Sequence, residues 1–504
     1  MVSLKFRRRN CPFYPIFHCS LCKLIQHYIR NSFSFKLRFN GNKVQIKGVI
    51  LLYCLKKPDE AKWEKTALAF LRRFGQRGNN DAKSRKFSVL PLYQTYIINI
   101  YKGEKLIYIG LYLLIRDGYN PVKVLSGENA LENLPYELEH LKASRPMLLT
   151  NRDLTQVGLT GVVEAALKGA GLSLAARFEE IPPDSSVHVV NAAGRTFREA
   201  GCDAIIALGG GSVIDTAKGL RVLIGQDTDD IMQYMGADIL KPKRHVPFAV
   251  IPTTAGTGSE ATLVAVIAHP ERRVKMEFVS HHLLPDLAVL DPRMTRSLPP
   301  RITASTGVDA LVHAIEGYTC IQRNPLSDAY AWAAIELIRE YLPRAVANGH
   351  DLDARLAMAN AALMAGAAFS NSMVGLVHAI GHACGGVSRV GHGDAMAILL
   401  PHVMEYNLDV LHERYGHLLL PLAGPEIYAA TPAKERGTQA IAVVRAFTQR
   451  LNQACGLPLR LRDVGVTEDA LPAIARTAIN DGALLMNPKE AGLDDVLQIL
   501  SKAF

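Results

Sequence analysis

Between residues 146 and 252, short apolar runs alternate with longer stretches in which apolar positions recur at helical spacing. PMLLT (146–150), DAIIAL (203–208) and HVPFAVIP (245–252) are strand-length and almost continuously apolar, the pattern of strands covered on both faces. LTGVVEAALKGAGL comes after the first of them with the period of an amphipathic helix. Strands alternating with helices predict a parallel sheet with helices on its faces. After DPRMTRSLPPR (291–301) the period changes. DAYAWAAIELIREYLPRAVA and ARLAMANAALMAGAAF are long, alanine-rich and helical in spacing, and little beyond them reads as strand. The pattern predicts an α/β domain with a parallel sheet over residues 116–300 and an all-helical domain over 301–504, with no internal repeat.

Length and charge change the picture only at the N-terminus. A chain of 504 residues is longer than one core supports, so two or three domains are expected. The net charge of +10 divides unevenly: residues 1–115 hold 22 Lys and Arg against 5 Asp and Glu, and the rest hold 35 against 42. The first 115 residues also contain only four alanines, whereas residues 116–504 are alanine-rich throughout. These changes put a boundary near residue 116. FRRRN and RRFGQRGNNDAKSRK carry charge that suits phosphate contacts, and the scarcity of acids is shared with transit peptides. No nucleic-acid-binding motif accompanies them, so solvated surface is the plainer reading and no nucleic-acid partner is expected. Of Cys11, Cys19, Cys22 and His27, only the Cys19–Cys22 spacing suits zinc, too little for a metal site. The segment reads as a basic extension of unknown role, disordered or poorly packed, or as upstream sequence that is no part of the working protein. No apolar run reaches the roughly 18 residues of a membrane-spanning helix, so a soluble protein without a membrane partner is expected. Cys202, Cys320, Cys384 and Cys455 stand singly and widely spaced, which suits a reducing cytoplasm rather than a disulfide framework.

Two polar loops come after strand-like runs. LGGGSVIDTAKG (208–219) comes directly after DAIIAL. Its three glycines let the backbone approach an anion, and Ser212 is placed to cap a helix whose first amides would face a pyrophosphate. The loop lacks the usual G-x-G-x-x-G spacing, and a GGG turn also serves as a tight strand-to-helix connection. PTTAGTGSEAT (252–262) again combines small residues with hydroxyls, from Thr253, Thr254, Thr257 and Ser259, as a loop wrapping a phosphate, ribose or amide requires. DTDD (227–230) reads as a solvated loop.

Four imidazoles and a carboxylate supply the candidate chemistry. In TGVDALVHAIEGY (306–318), Asp309 and His313 are four apart and project from one helical face. In GLVHAIGHACGGVSRVGHGDAMAILL (375–400), His378 and His382 share a face, and glycines at 385, 386 and 391 let the chain turn back to deliver His392. A carboxylate with imidazoles is a ligand set for a divalent metal of the iron or zinc type, not for magnesium or calcium. Any one of these histidines taken alone would read as a neutral core residue, and spacing does not choose between His378 and His382 as ligand.

GGGSVIDTAKG, IPTTAGTGSE, TGVDALVHAIEGY and GLVHAIGHACGG, with GHGDAMAILLPHVMEYN after them, together resemble the iron-containing (group III) alcohol dehydrogenase family, over roughly residues 119–504 and in the family's order. The resemblance implies a dinucleotide-binding α/β domain ahead of a helical domain, the dehydroquinate synthase-like arrangement, with the site between them. It implies that Asp309, His313, His378 and His392 bind Fe2+, with Zn2+ also suited. His382 would lie beside the metal and relay a proton. Gly209, Gly210, Gly211 and Ser212 would meet the pyrophosphate with Asp215 at the same loop, and Thr253, Thr254 and Lys275 would meet other parts of the cofactor. The four ligand positions are intact, unlike those of the family's zinc-dependent glycerol dehydrogenase branch. The implied reaction is hydride transfer between a small alcohol and NAD(P), giving an aldehyde or ketone, in an enzyme that is commonly a homo-oligomer. Most NAD-using members have an Asp after the first strand. Here LLTNRD puts Asn151 there with Arg152 beside it, so NAD with measurable NADP use is expected. The alternative is a dehydroquinate synthase-like lyase that uses NAD and a metal. It would need a pocket rich in Lys and Arg, whereas only Arg389 is basic near the metal motifs.

Overall fold

The computed structural model describes residues 120–504 apart from 235, 238–239 and 272–273, together with the backbone of five strands earlier in the chain; the side chains of 236–237 and 274–275 lie outside that description. The chain divides into two compact units, Met1–Leu113 and Leu114–Phe504. In the first unit β1 (Phe33–Phe39) pairs antiparallel with β2 (Asn42–Gly48), and β3 (Phe87–Leu92), β4 (Thr95–Lys102) and β5 (Lys105–Tyr112) form an antiparallel meander. The basic runs and the Cys19–Cys22 pair of this unit lie outside the described residues.

The second unit opens with a six-stranded, all-parallel sheet. Its strands are β6 (Lys123–Ser126), β7 (Pro146–Leu149), β8 (Ala176–Phe178), β9 (Ala204–Gly209), β11 (Phe248–Pro252) and β14 (Leu287–Leu290), in the spatial order β6-β14-β11-β9-β7-β8. The three apolar runs legible in the sequence are β7, β9 and β11, and every residue of those strands is buried. Their side chains alternate between faces. Met147, Leu149, Ile205, Ala207 and Val250 pack with α4 (Val187–Glu199) and α5 (Gly211–Gln226), while Leu148, Ile206, Leu208 and Ile251 pack with α1 (Leu134–His140) and α3 (Leu159–Gly169). The short α2 (Arg152–Gln156) begins at the end of β7. The chain reverses its direction of advance across the sheet between β7 and β9, so the turns after these two strands leave in opposite directions and open the crevice where α/β sheets bind ligands.

A smaller sheet lies beside α5: β12 (Val264–His269) and β13 (Val274–Val279) form a hairpin, and β10 (Gly236–Ala237) runs parallel to β13. From Pro300 onward the unit is helical: α6 (Pro300–Thr319), α7 (Pro325–Ala347), α8 (Leu352–Ser370), α9 (Leu376–Ser388), α10 (His392–Ala423), α11 (Pro425–Ala430), α12 (Arg436–Cys455), α13 (Leu471–Ala478) and α14 (Leu493–Ala503). α6 is buried almost all round from Gly307 to Thr319, as a central helix must be. Around it α7, α8 and α10 complete one apolar core. Among the described residues no helix is long and apolar enough to cross a membrane.

Candidate active site

The first polar loop turns β9 into α5. A Cβ at Gly209 would stand 2.5 Å from Val213 on the first turn of α5, so only a residue without a side chain lets the strand meet its helix so tightly. α5 starts with Gly210 as its N-cap and no side-chain cap. Ser212 does not cap it, contrary to the sequence expectation: it lies inside the first turn, and its hydroxyl accepts from the Asp184 N–H at 3.1 Å. The first amides of α5 remain directed at the crevice, where an anion would meet them.

The second polar loop runs against the first. The Thr253 N–H donates to the Gly209 carbonyl at 3.1 Å, and Cβ atoms built on Gly210 and Gly211 would meet Thr254 and Thr257 at 3.2 and 3.1 Å. Thr253 is buried and Thr254 half-buried. Asp215 ties the loops together: one carboxylate oxygen accepts from the Ser259 hydroxyl and the other from the Val266 N–H, both at 3.0 Å. Lys218, one turn on and fully buried, donates to Ser259 Oγ, Thr262 Oγ1 and the carbonyls of Thr262 and Val264. Burial lowers its pKa to about 8 against the pull of Asp215 and Glu260. The loop also abuts the helical half: a Cβ at Gly258, whose φ is +59°, would lie 2.4 Å from the Ala362 carbonyl and 2.6 Å from Gly366 Cα on α8.

Asn151 lies directly after β7. Its side-chain oxygen accepts from the Leu154 N–H at 3.0 Å and caps α2, and Arg152 pairs with the exposed Glu180. Lys275 lies on β13, and its side chain is outside the described residues.

Asp309, His313, His378 and His392 come together from three helices, with one ligand atom from each inside a 4.8 Å cluster. The Nε2 atoms of His313, His378 and His392 stand 3.9, 4.0 and 3.4 Å from Asp309 Oδ1. The first three residues are buried, and His392, at the start of α10, is exposed. Burial pushes the Asp309 carboxyl up, but the surrounding imidazoles outweigh it and hold the group well below the usual carboxylate range. Burial carries His313 down to about 3, and His378 is likewise far below an ordinary imidazole. At neutral pH the buried part of the cluster is therefore a carboxylate facing two neutral imidazoles, His313 and His378, the protonation state a divalent metal needs. Asp309 Oδ1 and His378 Nε2 are buried with no hydrogen-bond partner. Buried polar atoms are rarely left so, and a metal ion at the centre of the four would satisfy both.

Three carboxylates beyond the four ligand positions, Glu316, Asp481 and Glu277, complete the surroundings. Glu316 Oε2 accepts from His378 Nδ1 at 2.6 Å, and its carboxylate also accepts from the N–H groups of Gly375 and Val377. It directs His378 Nε2 towards Asp309, as carboxylates behind metal-bound histidines do. A signal for it was present in the sequence: Glu316 is seven residues after Asp309 and three after His313, on the same helical face. His382 lies outside the four-atom cluster, and its ring centroid is 5.6 Å from that of His392. Its Nδ1 donates to Asp481 at 3.0 Å, and Asp481 and Glu277 form with it a second group of ligand-type atoms within 4.8 Å. Asp481 comes from a loop 99 residues away, and no spacing could have marked it.

Residues 121–292 match the family model of the iron-containing alcohol dehydrogenases, and residues 303–504 match the model of that family's C-terminal region. The chain is 37% identical to the NAD-dependent methanol dehydrogenase of Bacillus methanolicus, over 76% of this chain and 98% of that one. Its fold is similar to that of a 1,3-propanediol oxidoreductase, with TM-score 0.73 and 34% identity over 77% of this chain and all of that one. It is also similar to sulfoacetaldehyde reductase from Bifidobacterium kashiwanohense in complex with NAD+, with TM-score 0.69 and 28% identity over 77% of this chain and 99% of that one. These relatives carry names of alcohol and aldehyde oxidoreductases, and the lyase alternative finds no support among them. The chain belongs to the iron-containing alcohol dehydrogenase family, and its activity is the NAD(P)-dependent interconversion of alcohols with aldehydes or ketones.

Proposed function

We propose that Asp309, His313, His378 and His392 hold Fe2+, or Zn2+ in its place, and that a small alcohol or aldehyde reacts between this centre and the nicotinamide of NAD. The observation that carries the reading is the pair of buried ligand atoms without a hydrogen bond, Asp309 Oδ1 and His378 Nε2, inside a cluster of one carboxylate and three imidazoles. A bound metal would supply Lewis acidity towards the alcohol or carbonyl oxygen. Gly209, Gly210, Gly211 and Ser212 would receive the pyrophosphate through backbone amides. Thr253, Thr254 and Lys275 would line the rest of the cofactor, with Asp215 and Lys218 fixing the shape of the second loop. His382 moves the proton: Asp481 holds the hydrogen on Nδ1, which leaves Nε2 as the basic nitrogen of the neutral ring.

Residues 116–300 act as the NAD(P)-binding domain and 301–504 as the metal-binding domain, and a chain starting near Tyr119 retains activity. The pairing of Arg152 with Glu180 takes a cation away from any 2′-phosphate and favours NAD with residual NADP use. A cytoplasmic setting fits the unpaired Cys202, Cys320, Cys384 and Cys455, and a homo-oligomer accords with the family's habit. Freshly purified protein is assayed for metal content and for NADH absorbance with NAD+ and short alcohols and diols. His392→Ala should lose metal and turnover while still binding NAD+. Normal turnover by a metal-free preparation of that variant would sink the assignment.

A further inference from the structure

The hairpin β12–β13 has two unlike faces. Ala265, Ile267, Met276 and Phe278 are buried in the core around α4 and α5. Glu277, paired in register with Val266, projects to the opposite side, where the 481–486 turn brings its backbone close: a Cβ at Gly482 would lie 4.0 Å from Glu277 Oε2. Glu277 thus stands on the wall that the α/β half contributes, facing His382 and Asp481 of the helical half, with its ligand-type oxygen within 4.8 Å of theirs. His382 in turn is 5.6 Å, ring to ring, from the metal-cluster residue His392.

Two carboxylates so close need a compensating cation. Asp481 has its own partners, since its oxygens accept from His382 Nδ1 and the Ala483 N–H. Among the described residues Glu277 makes no ion pair closer than 4.0 Å, and it is exposed. Although its surface is open to solvent, protein atoms stand around its carboxyl. That partial desolvation and the charge of Asp481 push its carboxyl pKa up, and His382 pulls the other way. From the metal cluster to Glu277 the way leads over two short steps, 5.6 Å from the His392 ring to the His382 ring and within 4.8 Å from His382 to Glu277, a span of a few bonds.

Building on the dehydrogenase reading of the site, we propose that Glu277 determines specificity by charge: the enzyme favours alcohols and aldehydes bearing an ammonium group a few bonds from the reacting carbon, and rejects those bearing a carboxylate or sulfonate there. A unit charge a few ångströms away in a partly desolvated cleft is strong enough to dominate selection among substrates of equal size.

The test compares kcat/KM near neutral pH for three alcohols of similar size: butan-1-ol, 3-aminopropan-1-ol and 3-hydroxypropanoate. The wild type should prefer the amine to the carboxylate. Glu277→Gln should narrow that ratio by at least about tenfold, and Glu277→Lys should invert it. An amine-to-carboxylate ratio that both variants leave within about twofold of wild type overturns the proposal. So does a uniform fall for all three alcohols with a shifted pH profile, which would make Glu277 part of the proton path instead. Wild-type turnover of butan-1-ol without charge discrimination overturns the charge selection alone. Failure to oxidise any of the three by metal-loaded protein overturns the underlying dehydrogenase reading with it.

Discussion

The proposed metal cluster and the proposed cofactor loops are built from opposite materials. The cluster uses side chains on rigid helices: four ligand groups at fixed turns of α6, α9 and α10, three of them buried. The loops use backbone: glycines that admit no Cβ, helix amides, and a lysine and an aspartate whose polar atoms are spent on the protein itself. A side-chain site fails when one functional group is removed. A backbone site fails when one methyl group is added.

The sharpest way to break this contrast is Asp309→Asn. It keeps the shape and removes the only carboxylate of the cluster, so metal should be lost and kcat/KM should fall by at least about a thousandfold. NAD+ affinity, measured by fluorescence titration, should stay within about twofold of wild type. Joint loss of both would show that the two halves are not separable. Glu316→Gln sharpens the contrast, because that residue reaches the metal cluster through His378 and through the backbone of Gly375 and Val377 beside it. Metal affinity should drop roughly 10- to 100-fold, read by competition with a chelator, and excess metal should restore turnover. Gly209→Ala is the mirror image: the added Cβ meets Val213 at 2.5 Å, so the dissociation constant for NAD+ should rise about tenfold with metal content unchanged. The smallest effect is expected from Asn151→Asp. Asp caps α2 as well as Asn does, and the new charge should shift kcat/KM towards NAD over NADP by about 1 kcal/mol. An unmoved ratio would mean that residue 151 does not reach the ribose.

The same contrast governs what could be read from the sequence. Interior strands buried on both faces announce themselves as apolar runs, which is why PMLLT, DAIIAL and HVPFAVIP were legible. β6 is largely exposed and β8 has three residues, so neither carries a run. β14 is as short and as buried as β7, but its LAVL is enclosed by Pro285-Asp286 and Asp291-Pro292, pairs that mark turns. Asp309 and His313 were legible because a helix converts a spacing of four into a shared face. The choice between His378 and His382 was not, since both lie on one face of α9 about 6 Å apart along its axis. It is made by carboxylates from elsewhere, Glu316 behind one and Asp481 behind the other. Ser212 was misread because its role as a cap depended on where the helix began, a boundary that glycine-rich turns do not fix.

The contact between Gly258 and Gly366 has a mechanical meaning. A Cβ on either would run into the other's backbone, so the second cofactor loop and helix α8 touch through main chain, with no rotamer between them to absorb displacement. Such a point cannot slide, and it can serve as a pivot. A side chain added to either glycine would therefore push the cofactor loop and the helical half apart at this one point, and the displacement would pass along both rigid backbones.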